Sequence, residues 1–160
     1  MTNQNILLIA HRGNIDGRNP EMENHPEYID KAISLMYDVE IDLWGMHGAL
    51  YLGHDGPEHQ IGTTWLENRA YNLWIHCKNA NALEVCLANE MNCFWHGVDS
   101  YTLTSKGHVW AYPGVVPVSK KSVFVMPEKH FSTEFLLQFE PYGICSDYPS
   151  KYYRVTQTED

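Results

Sequence analysis

Apolar runs of strand length alternate with helical stretches along almost the whole chain. The strand-like runs cover residues 5–11, 37–44, 72–78, 92–99, 108–114, 122–128 and 142–149, a short extended piece covers 50–55, and helical patterns cover 25–37, 79–91 and 131–140. Strands that are separated by helices pair in parallel through right-handed crossovers. The order of the elements therefore predicts an α/β fold with a parallel sheet.

The length of the chain limits which parallel fold can form. A complete (β/α)8 barrel needs roughly 200–250 residues, whereas this chain has 160, and the segment 100–123 leaves little room for a full helix. We therefore predict one domain over residues 1–160. Its fold is predicted to be a trimmed or irregular TIM (β/α) barrel with about seven to eight parallel strands and some short or missing helices.

The charge balance narrows the classes of partner. Lys and Arg total 11 and Asp and Glu total 20, so the formal net charge is −9. An acidic surface argues against a nucleic-acid partner. The N-terminus does not resemble a signal peptide, and no run is long enough for an integral membrane segment, so we expect a cytoplasmic protein. The four cysteines form no CxxC pair, which favours buried free thiols over zinc ligands or disulfides.

Polar side chains with reactive groups recur at the ends of the strand-like runs. They are His11, Glu40, Asp42, His76, Lys78, His96 and Asp147. In a parallel barrel, the C-terminal ends of the strands share one face, and active sites lie on that face. The clustering predicts that the chain is an enzyme.

Glu40 and Asp42 stand two residues apart inside the apolar run VEIDLW. Residues i and i+2 of a strand point to the same side, so the two carboxylates are expected to lie together and repel each other. A divalent cation would remove that conflict, and oxygen ligands suit Mg²⁺ or Ca²⁺. The alternative is a pair of acids, one held by Arg or Lys and the other at the solvent edge. The His-Arg-Gly after the first strand and the later His-Asp favour the metal.

Six motifs then occur in a characteristic order. They are AHRGN (10–14), ENHPEY (23–28), VEIDLW (39–44), GHD (53–55), IHCKN (75–79) and ICSDYP (144–149). Together they resemble the signatures of the glycerophosphodiester phosphodiesterase family, part of the phosphatidylinositol phospholipase C-like phosphodiesterase superfamily. The resemblance runs from His11 to Pro149. It implies a TIM barrel, a divalent metal and cleavage of a phosphodiester that carries a neighbouring hydroxyl.

The resemblance assigns the chemical steps to four residues. Glu40 and Asp42 resemble the metal carboxylates, and His11 and His54 resemble the general acid–base pair. Histidine suits proton transfer at neutral pH because its ordinary pKa is close to 7. In related enzymes a substrate hydroxyl attacks phosphorus, which yields a cyclic phosphate that water then opens.

The resemblance also suggests supporting residues. Arg12 and Lys78 match residues that neutralise the phosphate, and Glu23 matches an acid near the site. Asp147 matches the motif of the last strand, where we expect it to hold Arg12 or the loop. His96, at the end of the fourth strand, either faces the same pocket or caps the strand.

His76 departs from the family pattern, which places a glutamate there as a third metal ligand. Its imidazole could bind the metal through nitrogen, which suits Mn²⁺ or Zn²⁺ better than Mg²⁺. It could also donate to the phosphate, or leave the metal to Glu40, Asp42 and water. The phosphate role is favoured because Lys78 shares the same strand face.

These patterns favour a metal-dependent phosphodiesterase that takes a small-molecule phosphodiester. Two other functions use the same residues: a pseudoenzyme that binds a phosphorylated ligand, and a lyase that stops at the cyclic phosphate. The alcohol group stays open among glycerophosphocholine, a phospholipid and a polysaccharide phosphodiester. A homodimer would cover apolar edges that a trimmed barrel exposes.

Overall fold

A computed structural model describes residues 5–156 of the chain. The strands are β1 (Leu7–His11), β2 (Asp38–Met46), β3 (Ala49–Leu52), β4 (His59–Ile61), β5 (Leu73–Cys77), β6 (Cys93–Phe94), β7 (Tyr101–Leu103), β8 (Val109–Ala111), β9 (Ser122–Val125) and β10 (Gly143–Ser146). The helices are α1 (Pro26–Ser34), α2 (Thr63–Glu67), α3 (Ala80–Ala88), α4 (Thr133–Leu137) and α5 (Pro149–Thr156). Two short 3-10 turns cover Ala70–Asn72 and Pro127–Lys129.

The strands form one curled sheet. Seven of them pair in parallel, in the order β6-β5-β2-β1-β10-β9-β8. β3 and β4 add an antiparallel extension to the end of β2, and β7 pairs antiparallel with β8. The predicted α/β class and the parallel pairing are confirmed.

The sheet does not close into a barrel. Within residues 5–156, no strand pairing joins β6 to β8, so the sheet is an open half-barrel. Both strands at this opening are short, because β6 has two residues and β8 has three. Side chains fill the gap instead: the rings of Phe94 and Trp110 lie 4.7 Å apart between centroids.

Alternation along the strands separates two cores. The outer core lies between the sheet and the helices and includes Val39, Ile41 and Leu43 of β2. The inner core fills the hollow of the sheet and contains Ile9, Trp74, Phe94, Trp110, Val123, Val125, Met126 and Cys145. Glu40 and Asp42 belong to the inner side of β2, because they alternate with the outward residues.

The helices are shorter than the sequence pattern suggested. The stretch 25–37 yields the nine residues of α1, which starts at Pro26 with His25 as its N-cap. The stretch 79–91 yields α3, capped by Asn79, and 131–140 yields only α4. As expected, no helix occupies 100–123, which carries β7 and β8. In the part of the chain described, no helix is both long and apolar enough to cross a membrane.

Candidate active site

A cavity of about 340 Å³ opens at the carboxyl ends of the parallel strands. Its lining includes eight of the residues singled out in the sequence, namely His11, Arg12, Glu40, Asp42, His54, His76, Lys78 and His96. Glu23 and Asp147 are buried beside the cavity, where they contact Arg12 and His11. The expectation that these strand ends share one face is therefore met.

The loop after β1 brings His11 and Arg12 to the cavity through an unusual backbone. Arg12 has φ 55°, in the left-handed region, and its N–H donates to the Glu40 carbonyl at 2.9 Å. Gly13 follows with φ 88°, and a Cβ there would lie 2.8 Å from a ring carbon of Tyr28. Only glycine fits this turn, which accounts for the third residue of His-Arg-Gly.

The two carboxylates of β2 have different environments. Glu40 is almost wholly buried, and burial followed by the charge of Asp42 raises its carboxyl pKa. Asp42 is also buried, yet its pKa is lowered, because the close approach of the His76 imidazole and the charge of Arg12 outweigh the desolvation. The pair is the like-charge conflict that the sequence predicted, relieved in part by nearby cations.

Asn24 holds Asp42 in place from both sides. Its Nδ2 donates to Asp42 Oδ2 at 2.9 Å, and its Oδ1 accepts from the Asp42 N–H at 2.9 Å. Asn24 has φ 62°, a conformation that asparagine adopts more readily than most residues. The sequence motif Glu-Asn contains this residue, but the prediction used only Glu23.

Arg12 is fixed by acids on two sides. Its Nη1 donates to Glu23 Oε2 at 3.0 Å, and its Nε lies 3.2 Å from Asp42 Oδ2. Glu23 also accepts from Asn14 and Arg18, and these bonds lower its pKa despite its burial. Arg12 is thus a positioned cation at the cavity wall.

His11 is oriented by Asp147. The Nδ1–H of His11 donates to Asp147 Oδ1 at 2.7 Å, which directs Nε2 toward Glu40 Oε2, 3.8 Å away. Burial lowers the pKa of His11, but the Asp147 hydrogen bond and the Glu40 charge outweigh it, so the pKa is raised. Asp147 was expected to hold Arg12 or the loop. It contacts His11 and, through Asn14, the loop, whereas Glu23 and Asp42 hold Arg12.

His76 and Lys78 approach Asp42 from the neighbouring strand β5. His76 Nδ1 lies 3.2 Å from Asp42 Oδ1, and Lys78 Nζ lies 3.7 Å from the same atom. The register explains this contact, because His76 stands directly opposite Asp42 in the parallel pair. The His76 ring also stacks on Phe94 at 5.1 Å between centroids.

His54 reaches the cavity from the loop after β3. Its side chain is 40% exposed, and its Nδ1 lies 2.8 Å from Asp55 Oδ1. Gly53 before it has φ 152°, and a Cβ there would lie 2.0 Å from the Gly56 carbonyl oxygen. The loop that presents His54 therefore requires this glycine.

Aromatic side chains form the wall opposite the acids. Phe94, Trp110 and Tyr112 line the cavity together with His96. The His96 ring stacks on Tyr112 at 4.9 Å, and its Nδ1 lies 2.9 Å from the Gly97 carbonyl oxygen. Because a carbonyl only accepts, Nδ1 carries the proton. His96 faces the cavity and does not merely cap a strand.

Lys129 also lines the cavity, and the sequence prediction did not include it. It follows β9 and the turn that begins at Pro127, so it belongs to the same strand-end face as the predicted residues. Lys129 directly follows the predicted strand 122–128, so the rule that selected Lys78 also covers Lys129, but the prediction did not apply the rule there. Its charge adds a third cation to Arg12 and Lys78.

The donor set fits a divalent cation. One ligand atom from each of Glu40, Asp42 and His76 can be chosen so that all three lie within 4.8 Å of one another. Asp42 Oδ1 is buried and has no well-formed hydrogen bond, although buried polar atoms normally have a hydrogen-bond partner. Two carboxylates suit Mg²⁺ or Mn²⁺, and the imidazole nitrogen shifts the preference toward Mn²⁺ or Zn²⁺.

Comparisons with models of protein families, with curated proteins and with solved structures find no match to this chain. The site combines two carboxylates and an imidazole that could hold a cation, three further imidazoles, and the cations Arg12, Lys78 and Lys129 at the wall. Such a combination is suited to binding an anionic group.

Proposed function

We propose that the chain is a metal-dependent phosphodiesterase that cleaves a small phosphodiester resembling a glycerophosphodiester. The observation that carries the proposal is the grouping of Glu40, Asp42 and His76 within 4.8 Å, at a cavity that also contains His11 and Arg12. On this proposal the curled sheet is a trimmed TIM barrel, with the strand-end face retained and the closure lost.

Glu40, Asp42 and His76 would hold the cation. When bound, a divalent ion supplies positive charge to the phosphate oxygens of the substrate. The raised pKa of Glu40 supports this role, since the carboxylate lacks sufficient neutralising charge in the protein alone. The sequence favoured a phosphate contact for His76. Its 3.2 Å approach to Asp42 favours ligation instead, because a shared ion would give Asp42 Oδ1, which has no well-formed hydrogen bond, a ligand contact.

The histidines would move the protons. His11 Nε2 is available, because Nδ1 is occupied by Asp147, and this arrangement fixes the tautomer in the way a base or acid requires. His54 stands at the exposed side of the cavity. One imidazole accepts the proton of the attacking hydroxyl as the new P–O bond forms. The other protonates the departing alkoxide as the old P–O bond breaks.

The cations at the wall would bind the diester. Arg12 is held rigidly by Glu23 and Asp42, so it orients a phosphate at little entropic cost. Lys78 and Lys129 are further positive groups at the same cavity. The four cysteines are all reduced and buried, which supports a reducing, cytoplasmic setting for this activity.

Metal removal tests the proposal most directly. We expect EDTA to abolish turnover of a panel that includes glycerophosphocholine, a phospholipid and a sugar phosphodiester. Adding Mg²⁺, Mn²⁺ or Ca²⁺ should restore it. Full activity in a metal-stripped sample would contradict the assignment. The Asp42→Asn variant should show no metal-dependent turnover, because it loses charge at the ligand position.

Product analysis separates the related activities. Phosphorus NMR distinguishes a monoester product from a cyclic phosphate that persists, which would identify a lyase. No turnover of any diester, together with phosphate binding that Lys78→Ala weakens, would identify a binding protein instead. Size-exclusion chromatography with light scattering measures whether the chain forms a homodimer.

A further inference from the structure

Three cysteines converge on the outer side of the sheet, away from the cavity. Cys77 ends β5, Cys86 lies in α3, and Cys93 begins β6. Their sulfur atoms all lie within 4.8 Å of one another, and each residue is at most 1% exposed. Successive members stand nine and seven positions apart in the sequence and form no recognisable motif, so only the fold reveals the group.

The spacing of the sulfur atoms matches a shared ion. A metal–thiolate bond measures about 2.3 Å, so three sulfurs in a plane around one ion stand about 4 Å apart. The three cysteines therefore need only small side-chain adjustments to become ligands. Their positions on two adjacent strands and the helix that covers them hold the sulfurs in this arrangement.

The surroundings favour a soft cation with three ligands. Structural zinc is almost always four-coordinate, and within residues 5–156 no His, Asp or Glu joins this group. The Ser105 hydroxyl accepts from Cys93 Sγ at 3.6 Å and donates to the Met91 carbonyl. Thiolates in an apolar setting select Cu(I) over harder ions.

We propose that Cys77, Cys86 and Cys93 form a binding site for a thiophilic cation, namely Cu(I) coordinated by the three thiolates. Binding replaces the thiol protons, which pass to solvent, and no oxidation change is involved.

A bound ion would tie α3 to β5 and to β6, which has only two paired residues. The residues that follow these cysteines, Lys78 and Phe94, line the cavity. The ion would therefore brace the open edge of the sheet. This role does not depend on the proposed phosphodiesterase activity, because the thiols face away from Glu40 and Asp42.

Titration of the reduced, metal-free full chain with Cu(I) under anaerobic conditions tests the proposal. A chromogenic Cu(I) chelator serves as competitor. We expect one equivalent to bind, with thiolate-to-copper absorbance in the near ultraviolet and a rise in Tm. Cys86→Ser should lower the affinity by at least roughly 10²-fold, since losing even a supporting partner of a ligand costs about 10–100-fold.

Cys145→Ser is the matched control, because Cys145 is equally buried but belongs to the inner core. It should bind Cu(I) like the parent, as should Asp42→Asn, which disables the carboxylate site. Equal affinity of Cys86→Ser and the parent, or no saturable binding by the parent, overturns the proposal. Tight Zn²⁺ binding without Cu(I) binding overturns the three-coordinate assignment.

X-ray absorption of the copper-loaded parent keeps the test decisive if Cys86→Ser fails to fold. Three sulfur scatterers at about 2.3 Å support the site. Nitrogen or oxygen scatterers in their place contradict it, and would indicate that copper binds at the histidines of the cavity.

Discussion

The curled sheet has two parts that differ in the length of their strand pairing. The firm side is formed by β1, β2, β5 and β10, and the open side is formed by β6, β8 and the segments next to them. On the firm side, β2 pairs with β5 over five residues, and β1 pairs with β10 over four. On the open side, β6 pairs with β5 over two residues and β8 pairs with β9 over three. The backbones of β6 and β8 do not pair with each other. Helices α1 and α5 pack against the firm side, whereas α3 packs against β2, β5 and the short strand β6.

The chemistry follows the same division. The acids, His11, Arg12 and Lys78 come from the long strands, where backbone pairing and buried hydrogen bonds fix them. The open side contributes aromatic rings and exposed apolar side chains, namely Trp95, Val98, Leu103, Tyr112, Val116 and Val118. Proton transfer and metal binding need positions held within fractions of an ångström, whereas substrate entry needs room. Under the proposed function, the firm side would carry catalysis and the open side would admit the substrate.

The largest expected effect is the loss of an acid–base histidine. We expect His11→Ala and His54→Ala each to lower turnover by roughly 10²-fold or more while circular dichroism stays unchanged. Steady-state kinetics on the identified diester measures this loss. His47→Asn is the control, because His47 is exposed outside the cavity and its φ of 51° suits asparagine. A near-parental rate for either alanine variant would remove that histidine from the mechanism.

The next effect concerns His76 and the metal. Mutating a residue that merely supports a metal ligand lowers the metal affinity by about 10–100-fold. If His76 binds the ion itself, His76→Ala should therefore lower the affinity by at least about 10-fold. Isothermal titration calorimetry with Mn²⁺ measures the affinity. Unchanged affinity with a raised KM would instead assign His76 to the phosphate, as the sequence favoured. His76→Glu then separates the two further, because it should strengthen Mg²⁺ binding only in the first case.

A smaller effect is expected in the titration of His11. Its pKa is raised because Asp147 and Glu40 outweigh burial, so Asp147→Asn should shift that pKa to lower pH. NMR titration of the metal-free protein follows the imidazole directly. In the parent, the stabilisation of protonated His11 is complete below the unfolded pKa of about 6.5 and disappears as pH rises through the raised folded value. Asn14→Ala serves as a comparison, since Asn14 also bonds Asp147 but carries no charge.

On the open side we expect an effect on binding alone. Tyr112→Ala removes a ring that stacks on His96 at the cavity, which should raise KM by roughly 2- to 10-fold and leave kcat unchanged. Tyr71→Ala is the matched control, because Tyr71 is 96% exposed and lies outside this cavity. A fall in kcat as large as the rise in KM would show that the open side takes part in the chemistry, which would contradict the division between the two sides.

The smallest effect concerns stability. Val98 is 99% exposed on the open side, so Val98→Ser should change the free energy of unfolding by less than about 0.5 kcal/mol. Ile41 is fully buried on the firm side, and Ile41→Val should cost about 0.5–1.5 kcal/mol. Urea denaturation measures both. Similar costs at the two positions would mean that the exposed apolar segment is covered in solution.

Several features were readable from residues close together in the chain. The period of two in VEIDLW indicated that Glu40 and Asp42 share one side of a strand, and the structure places them there. Strand-sized apolar runs predicted all seven parallel strands, because burial on both faces of a sheet leaves a local signature. The ends of the strands were predicted less accurately. The predicted run 92–99 contains only the two residues of β6, because strand length depends on a partner strand.

Other features required the tertiary structure, because they join residues that are far apart in sequence. Asp147 reaches His11 across 136 positions, and Glu23 rather than Asp147 holds Arg12. The convergence of three cysteines depends on α3 crossing two strands, which no spacing reveals. The open edge also depends on packing, since Phe94 and Trp110 fill the space where a strand pairing would have closed the barrel. Local periodicity decided which side chains point inward, and long-range packing decided which of them meet.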